Sequence, residues 1–78
     1  MAVKELTRLM RDEDSLLRAQ AVTEMGVAFW HRPNEMPETV LQEIMPLTRD
    51  PSEEVQTAAF ASLSDLAKLG CQGAQQYL

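Results

Sequence analysis

The chain lacks the residues that disulfide frameworks and metal centres require. It has one cysteine and one histidine among 78 residues. A single cysteine cannot form an internal disulfide, and a structural zinc site needs about four ligands. We therefore expect no disulfide, no metal and no cofactor. The lone Cys71 also favours a reducing compartment, which predicts a cytoplasmic protein.

Long apolar runs are also missing. The longest candidate, residues 26–30, is followed by His31 and Arg32, whereas a membrane-spanning helix needs about 20 apolar residues. Charged residues appear from Lys4 onward, so the start of the chain does not resemble a secretory signal peptide. We expect a protein that neither spans a membrane nor begins with a signal peptide.

Aromatic residues are scarce, at 5% of the chain. A domain of this size buries about 60% of the surface that its unfolded chain exposes, so the core is expected to be small. The rest of the composition, 45% hydrophobic and 24% charged with three glycines and four prolines, is typical of a folded chain. The length therefore predicts a single domain, residues 1–78, that benefits from a partner or a second copy.

Apolar residues recur at intervals of three and four along most of the chain, which predicts amphipathic helices. Four helices are expected: one that includes residues 3–10, a second over about 14–30, a third over about 38–49 and a fourth that ends near Gly70. The predicted core consists of the apolar residues of these stripes: Val3, Leu6, Leu9, Met10, Leu17, Ala21, Val22, Met25, Ala28, Phe29, Val40, Leu41, Ile44, Leu47, Val55, Ala59, Phe60, Leu63, Leu66 and Ala67.

Turn residues mark where these helices begin and bend. The acidic run 12–15 supplies N-cap chemistry for the second helix. Asp50 is the expected N-cap of the fourth helix, with Pro51 at its first position and Glu53 at its third. Pro46 removes one backbone hydrogen bond inside the third helix, which predicts a kink or a loosened turn there.

An internal repeat is suggested by an offset of 38 residues, which places Arg49-Asp50 on Arg11-Asp12. Apolar positions then fall on apolar positions along most of both copies. Five of thirty aligned pairs are identical, so coincidence between amphipathic helices is the alternative, and the shared Arg-Asp turn favours a true repeat. We predict repeat one over about 2–31, repeat two over about 38–70, and a tail, 71–78, in which Tyr77 and Leu78 cap the open end.

The second copy resembles the HEAT-repeat family, whose unit is a pair of antiparallel helices. Residues 50–63 contain the Asp-Pro turn, the Val, the Ala and the Leu of the family pattern, with Gln56 where the family usually has Arg. The first copy keeps that Arg as Arg18 and lacks the Pro. The resemblance covers about 68 of the 78 residues. It implies an all-α fold of two stacked antiparallel helical hairpins, a four-helix HEAT-like α-solenoid fragment with a short C-terminal cap.

Members of that family are mostly scaffolds and adaptors, so the resemblance implies protein binding. Stacked repeats build a continuous core, and about three are needed for stability. Two repeats leave open apolar faces that a partner protein or a second copy would cover. The sequence therefore predicts a protein partner or self-association, with a homodimer as one form.

Trp30 is the most informative aromatic residue for a binding site. It adjoins the proline-broken loop that contains His31, Arg32 and Met36, and tryptophan beside arginine is typical of interface hot spots. The alternative is that Trp30, the only tryptophan, folds back over the core onto Met36. Met10 and Met45 join Met36 as candidates for a pliable contact surface.

Charge is shared unequally along the chain. Residues 1–32 carry no net charge, and the whole net charge of −5 falls after residue 32. The acidic face includes Asp50, Glu53 and Glu54, which we assign to the predicted partner-binding surface. A basic stripe on the first helix consists of Lys4, Arg8 and Arg11, with Arg18 as its extension. Each stripe is either the solvated face of an outer helix or a contact surface, and the sequence leaves both interpretations open.

No catalytic constellation is present, because the one histidine has no nucleophile or acid partner near it in the sequence. We predict a non-catalytic protein–protein interaction module, a small cytoplasmic adaptor or inhibitor. It is expected to dock on a larger protein or complex through the second helices of the two repeats, the loop around Trp30 and the acidic face. The alternative is a nucleic-acid-related role, through phosphate contacts of the basic stripe or acidic mimicry of nucleic acid. The acidic balance disfavours generic binding to nucleic acid or to anionic membranes.

Overall fold

The protein is all-helical over the part of the chain that the computed structural model describes, residues 3–77 without the side chain of Tyr77. Five α-helices and two 3₁₀-helices account for most of it, and these residues form no β-strand. The helices are α1 (Val3–Leu9), α2 (Ser15–Ala28), α3 (Glu38–Ile44), α4 (Glu53–Lys68) and α5 (Gln72–Tyr77), with 3₁₀-helices at Pro33–Glu35 and Met45–Arg49. The all-α prediction is confirmed. The expectation of four helices is corrected, because the tail forms a fifth.

The turn residues correctly predicted the N-cap of α2 but not that of α4. Asp14 caps α2, and its carboxylate accepts a hydrogen bond from the backbone N–H of Leu16 at 2.9 Å. The prediction that Asp50 caps α4 is wrong, because α4 begins at Glu53 after an N-cap Ser52 that makes no side-chain capping bond. Asp50 instead accepts a hydrogen bond from the backbone N–H of Ser52 at 2.9 Å, which orders the turn before the helix.

The loosened turn at Pro46 is confirmed. The α-helical part of the third helix ends at Ile44, and the chain continues as the 3₁₀-helix Met45–Arg49. Proline has no N–H to donate to the preceding turn, so the tighter 3₁₀ pattern replaces the α pattern there. At the end of α4, Gly70 adopts a φ of +106° that L side chains rarely take. This turn directs the chain into α5.

The main packing contact is between α2 and α4. In addition, α1 packs on α2, the Met45–Arg49 helix packs on α4, and α5 packs on both α4 and α3. Most of the predicted core is confirmed as buried: Leu6, Met10, Ala21, Val22, Met25, Phe29, Val40, Leu41, Ile44, Leu47, Val55, Ala59, Leu63, Leu66 and Ala67. The described residues measure 30 × 25 × 17 Å along their principal axes.

Some of the expected core residues lie at the surface. Phe60 is 47% exposed, and Val3, Leu17 and Ala28 are also exposed. A helix that packs on one or two neighbours buries a stripe of limited width, and Phe60 lies about 100° around α4 from the fully buried Ala59. It therefore falls beyond the edge of the stripe.

Helices α2 and α4 are closely packed at Gly26. A Cβ atom at this position would lie 2.9 Å from the Oγ atom and 3.2 Å from the Cβ atom of Ser62. The Ser62 hydroxyl donates a hydrogen bond to the backbone carbonyl of Val22 at 3.0 Å. The close approach therefore depends on a glycine on one helix and a small polar residue on the other.

Equivalent hydrogen bonds occur in the turn before α2 and in the turn before α4. Arg18 donates from Nη1 to the carbonyl of Asp12 at 2.7 Å, and Gln56 donates from Nε2 to the carbonyl of Asp50 at 2.5 Å. The carboxylate of each aspartate also accepts from the backbone N–H two residues later, at 2.8 and 2.9 Å. Both pairs of partners are related by the offset of 38 residues. Gln56 thus donates to the backbone carbonyl of Asp50, as Arg18 donates to that of Asp12 in the first turn.

Candidate functional site

An apolar groove lies between α2 and α4, and we call it the α2–α4 groove. It has a volume of about 220 Å³. Its small residues are Thr23 and Gly26 on α2 with Ala58, Ala61 and Ser62 on α4, and its larger ones are Val27, Trp30, Asp65, Leu66 and Leu69. Several large apolar side chains that line it are exposed, so the groove is open to a partner.

Trp30 lies at the end of this groove, just after α2. The residue is 54% exposed, and its ring stacks on that of His31 with centroids 5.5 Å apart and planes 28° apart. The backbone N–H of Trp30 donates to the carbonyl of Val27 at 3.2 Å, which holds the residue against the last turn of the helix. The tryptophan therefore lies at the surface and does not fold back over the core.

The other residues predicted beside Trp30 have separate environments. Arg32 forms an exposed ion pair with Glu35, with Nε and Oε2 3.3 Å apart. Met36 is buried, as is Met10, and Met45 is partly buried against the core. The prediction that Met10 and Met36 offer a pliable contact surface is therefore wrong. They fill gaps in a core that has few aromatic side chains.

The predicted acidic face is divided by the fold. Glu53 and Glu54 are exposed in the first turn of α4, where they line a shallow depression with Thr57, Ala58 and Ala61. The Asp50 side chain is only 7% exposed and pairs with Arg18. Because its carboxylate is used within the protein, Asp50 belongs to the fold, and the other two carboxylates remain available to a partner.

The Arg18–Asp50 pair joins the turns before α2 and α4. Arg18 Nε and Nη2 donate to the two carboxylate oxygens, each at 3.0 Å. This bidentate hydrogen bonding to Arg18 lowers the pKa of Asp50, and the backbone N–H of Ser52 lowers it further. The same pairing raises the pKa of Arg18. Both groups therefore stay charged at neutral pH and stabilise the link.

The predicted basic stripe is also divided. Lys4 and Arg8 are exposed on α1, whereas Arg11 donates two hydrogen bonds to the carboxylate of Glu43. That pairing lowers the pKa of Glu43. With Arg18 bonded to Asp50, two of the four basic residues already have carboxylate partners.

The sequence predicted docking through the second and fourth helices, which correspond to α2 and α4, but it did not single out Val27, Asp65 and Leu69 of the groove. A signal was present, because small residues recur at intervals of three and four on both helices: Thr23 and Gly26 on α2, and Ala58, Ala61 and Ser62 on α4. Such a row predicts a flat helix face. The two rows of small residues lie side by side because α2 packs on α4. Sequence periodicity alone does not predict that contact.

A second, wider cavity lies between the Pro33–Glu35 turn, α3 and the start of α5. Its volume is about 740 Å³, and its lining mixes Gln42, Gln72 and Gln76 with apolar residues such as Leu41 and Met45. Cys71 also lines it and is a free, buried thiol. Among the described residues no three His, Cys, Asp or Glu side chains cluster as metal ligands would. In the same part of the chain, no helix has the length and apolar character needed to cross a membrane.

Comparison with family models, with curated proteins and with solved structures finds no match to this chain.

Proposed function

We propose that the chain consists of two stacked helical hairpins of the HEAT type. The hydrogen bonds in the turns before α2 and α4 support a repeat, because equivalent bonds recur 38 residues apart. Contacts between the halves support stacking: α2 packs on α4, and the Arg11–Glu43 and Arg18–Asp50 pairs each span 32 residues. In this arrangement α2 and α4 are the second helices of the two repeats and form one continuous face.

We infer that the protein is a non-catalytic protein–protein interaction module, a small cytoplasmic adaptor or inhibitor that docks through this face. The observation that carries the inference is the α2–α4 groove, which presents Val27 and Leu69 beside Trp30, the first two 63% and 41% exposed. Exposed apolar residues gathered in one place are typical of binding sites, and tryptophan is a frequent hot-spot residue. The free thiol of Cys71 supports a reducing compartment.

The chemistry of the groove favours binding over catalysis. Its two hydroxyl groups are both donors to backbone carbonyls of α2: Thr23 to Ala19 at 2.9 Å and Ser62 to Val22 at 3.0 Å. The groove lining contains no histidine, cysteine or lysine that could activate a nucleophile. A surface of this composition mainly contributes contact area, and Asp65 is the one ionisable side chain in its lining.

A nucleic-acid-related role is the weaker proposal. Direct phosphate contact would rest on Lys4 and Arg8, because Arg11 and Arg18 are paired with carboxylates. Two phosphate contacts give weak binding that salt abolishes readily. Filter binding of the chain to DNA and RNA at low and moderate salt tests this role, and retention that survives moderate salt would favour it over docking on a protein.

Site-specific photo-crosslinking tests the protein-binding proposal. A photoreactive phenylalanine replaces Val27 in the groove in one variant and Phe60, exposed on another side of α4, in the control. In extract of the cells that make the protein, position 27 is expected to give a discrete crosslinked species that excess unmodified chain competes away. Equal crosslinking from both positions, or none from position 27, would contradict the proposal.

A further inference from the structure

The floor of the α2–α4 groove has the shape that a helix requires. Thr23 and Gly26 face Ala58 and Ala61 across the line where the helices meet. Rows of small side chains form shallow channels along a helix pair, and a third helix packs by placing its ridge of larger side chains in such a channel. The groove lining runs from Ala58 to Leu69, which corresponds to about 17 Å along the helix axis.

Charge along the groove is of one sign. Asp65 lies at the end that holds Trp30 and Leu69. At the other end, Glu53 and Glu54 line the shallow depression described above, which shares Ala58 and Ala61 with the groove. Neither lining includes lysine or arginine. The three carboxylates also take part in none of the ion pairs within the described part of the chain, so they are available to cations of a partner.

The spacing of these carboxylates defines what they fit. Glu54 and Asp65 are eleven residues apart on α4, which corresponds to about 17 Å along the axis. Eleven residues also make close to three full turns, so both side chains lie on the same side of the helix. A helix that runs along the groove meets both carboxylates if it carries two basic residues with the same spacing on one face.

We propose that the α2–α4 groove binds one amphipathic α-helix of a partner protein, with apolar side chains against Val27, Trp30 and Leu69 and two Lys or Arg residues about eleven positions apart. The basic residues pair with Asp65 at one end and with Glu53 and Glu54 at the other. This proposal rests on the proposed function and adds the chemistry of the partner.

A second copy of this chain fits the groove less well. Symmetric pairing of two grooves would place the carboxylates of one copy near those of the other, and like charges disfavour such an interface. A partner helix with basic residues would instead attract the carboxylates at both ends of the groove. Charge complementarity therefore selects the basic helix as the occupant.

The test uses three helical peptides of about 18 residues with one alanine and leucine background and no tryptophan. The first has two lysines eleven positions apart on the apolar face, the second has glutamate at both places, and the third has its lysines six positions apart, so that they point to different sides. Each is titrated into the full-length chain, and the fluorescence of Trp30, the only tryptophan, reports binding.

The first peptide is expected to bind at least about tenfold more tightly than the second and about threefold more tightly than the third. Asp65→Asn should weaken the first peptide about threefold and reduce its salt dependence. Phe60→Ala is the matched control and should leave all three affinities unchanged, because Phe60 lines neither the groove nor the depression.

The proposal is overturned if the glutamate peptide binds as well as the first, if Asp65→Asn has no effect, or if none of the peptides binds. It is also overturned if sedimentation shows a dimer that the first peptide does not dissociate, because a second copy then occupies the groove. Failure of the peptides together with position-specific crosslinking from residue 27 rejects the basic helix and keeps the protein-binding proposal. Failure of the crosslinking rejects the proposed function itself.

Discussion

At the residue scale, Arg18 connects the turns before α2 and α4 through its side-chain hydrogen bonds. Its guanidinium donates to the carbonyls of Asp12 and Glu13 and to both carboxylate oxygens of Asp50. Arg18 therefore stabilises the turn before α2 and links it to the turn before α4. The sequence suggested surface roles for Arg18 and Asp50, and the structure shows them bound to each other.

Asp50→Asn should destabilise the protein by about 2 kcal/mol at pH 7, because it weakens charge-assisted hydrogen bonds in a partly buried site. The folded-state pKa of Asp50 lies below its ordinary value of 3.8. The pair therefore stabilises the fold above about pH 4, and this stabilisation is lost as the pH falls through the lowered folded-state pKa. Urea unfolding followed by circular dichroism at pH 7 and at pH 3 measures the effect.

The difference in unfolding free energy between the parent and Asp50→Asn should shrink at the acid pH. Glu53→Gln, at an exposed carboxylate of α4, serves as the control and should change stability by less than about 0.5 kcal/mol at either pH. A difference that is the same at both pH values would show that the charge of Asp50 does not contribute.

Gly26→Ala should destabilise the protein by about 1–2 kcal/mol, although alanine is the better helix former. The new Cβ atom would lie 2.9 Å from Ser62 Oγ and 3.2 Å from Ser62 Cβ. Either the Ser62 hydroxyl rotates out of its hydrogen bond to the Val22 carbonyl, or α2 and α4 move apart. Thermal unfolding measures the change. Gln20→Ala, at an exposed position of α2, is the control and should be neutral or slightly stabilising. A stabilised Gly26→Ala variant would show that the helices are not closely packed there.

At the element scale, α5 packs against α4 and α3. Gln75 donates from its side chain to the carbonyl of Ala67 at 2.8 Å, and Cys71 and Ala74 are buried. Gly73 lies so close to Leu41 of α3 that an added Cβ atom would clash with Leu41 Cδ1. The tail therefore packs on the core, and its capping of a repeat stack stays a prediction. The expected contribution of Tyr77 and Leu78 lies outside the described side chains.

Gly73→Ala should loosen α5 and expose the thiol of Cys71, because the added methyl group displaces Leu41 or the helix. We expect Cys71 to react with a thiol-specific reagent about tenfold faster than in the parent, which corresponds to local opening that is easier by about 1.4 kcal/mol. The time course of thiol labelling under native conditions measures this rate. Gln72→Ala, at an exposed position of α5, should react at the parental rate. Equal rates in all three proteins would mean that α5 does not protect the thiol.

The elements were predictable where local chemistry decides them. Apolar periodicity located α2, α3 and α4, and Pro46 marked the change to a 3₁₀-helix. Phe60 is exposed and Met36 is buried because of which helix faces pack against another element. Apolar periodicity does not specify which faces pack. The groove likewise required knowledge of the α2–α4 contact, so only Trp30 of its exposed apolar residues was singled out from the sequence.

At the scale of the whole molecule, the fold pairs some of the acidic residues with arginines and leaves others unpaired. The net charge of −5 falls after residue 32, yet Asp50 and Glu43 are paired with arginines of the first half. Glu53, Glu54 and Asp65 remain beside an apolar groove. The molecule therefore presents one surface that combines exposed apolar residues with unpaired carboxylates, and this combination is the basis for the proposed docking role.

Trp30→Ala tests the central claim, that the α2–α4 groove is the docking surface, most directly. The measurement is the yield of the crosslinked complex from position 27 in the Trp30→Ala chain, at a temperature where unfolding curves show parent and variant to be fully folded. Because Trp30 is 54% exposed, we predict a melting temperature within a few degrees of the parent and a crosslinking yield at least about tenfold lower. An unchanged yield from a folded variant would contradict the account, as would loss of the fold.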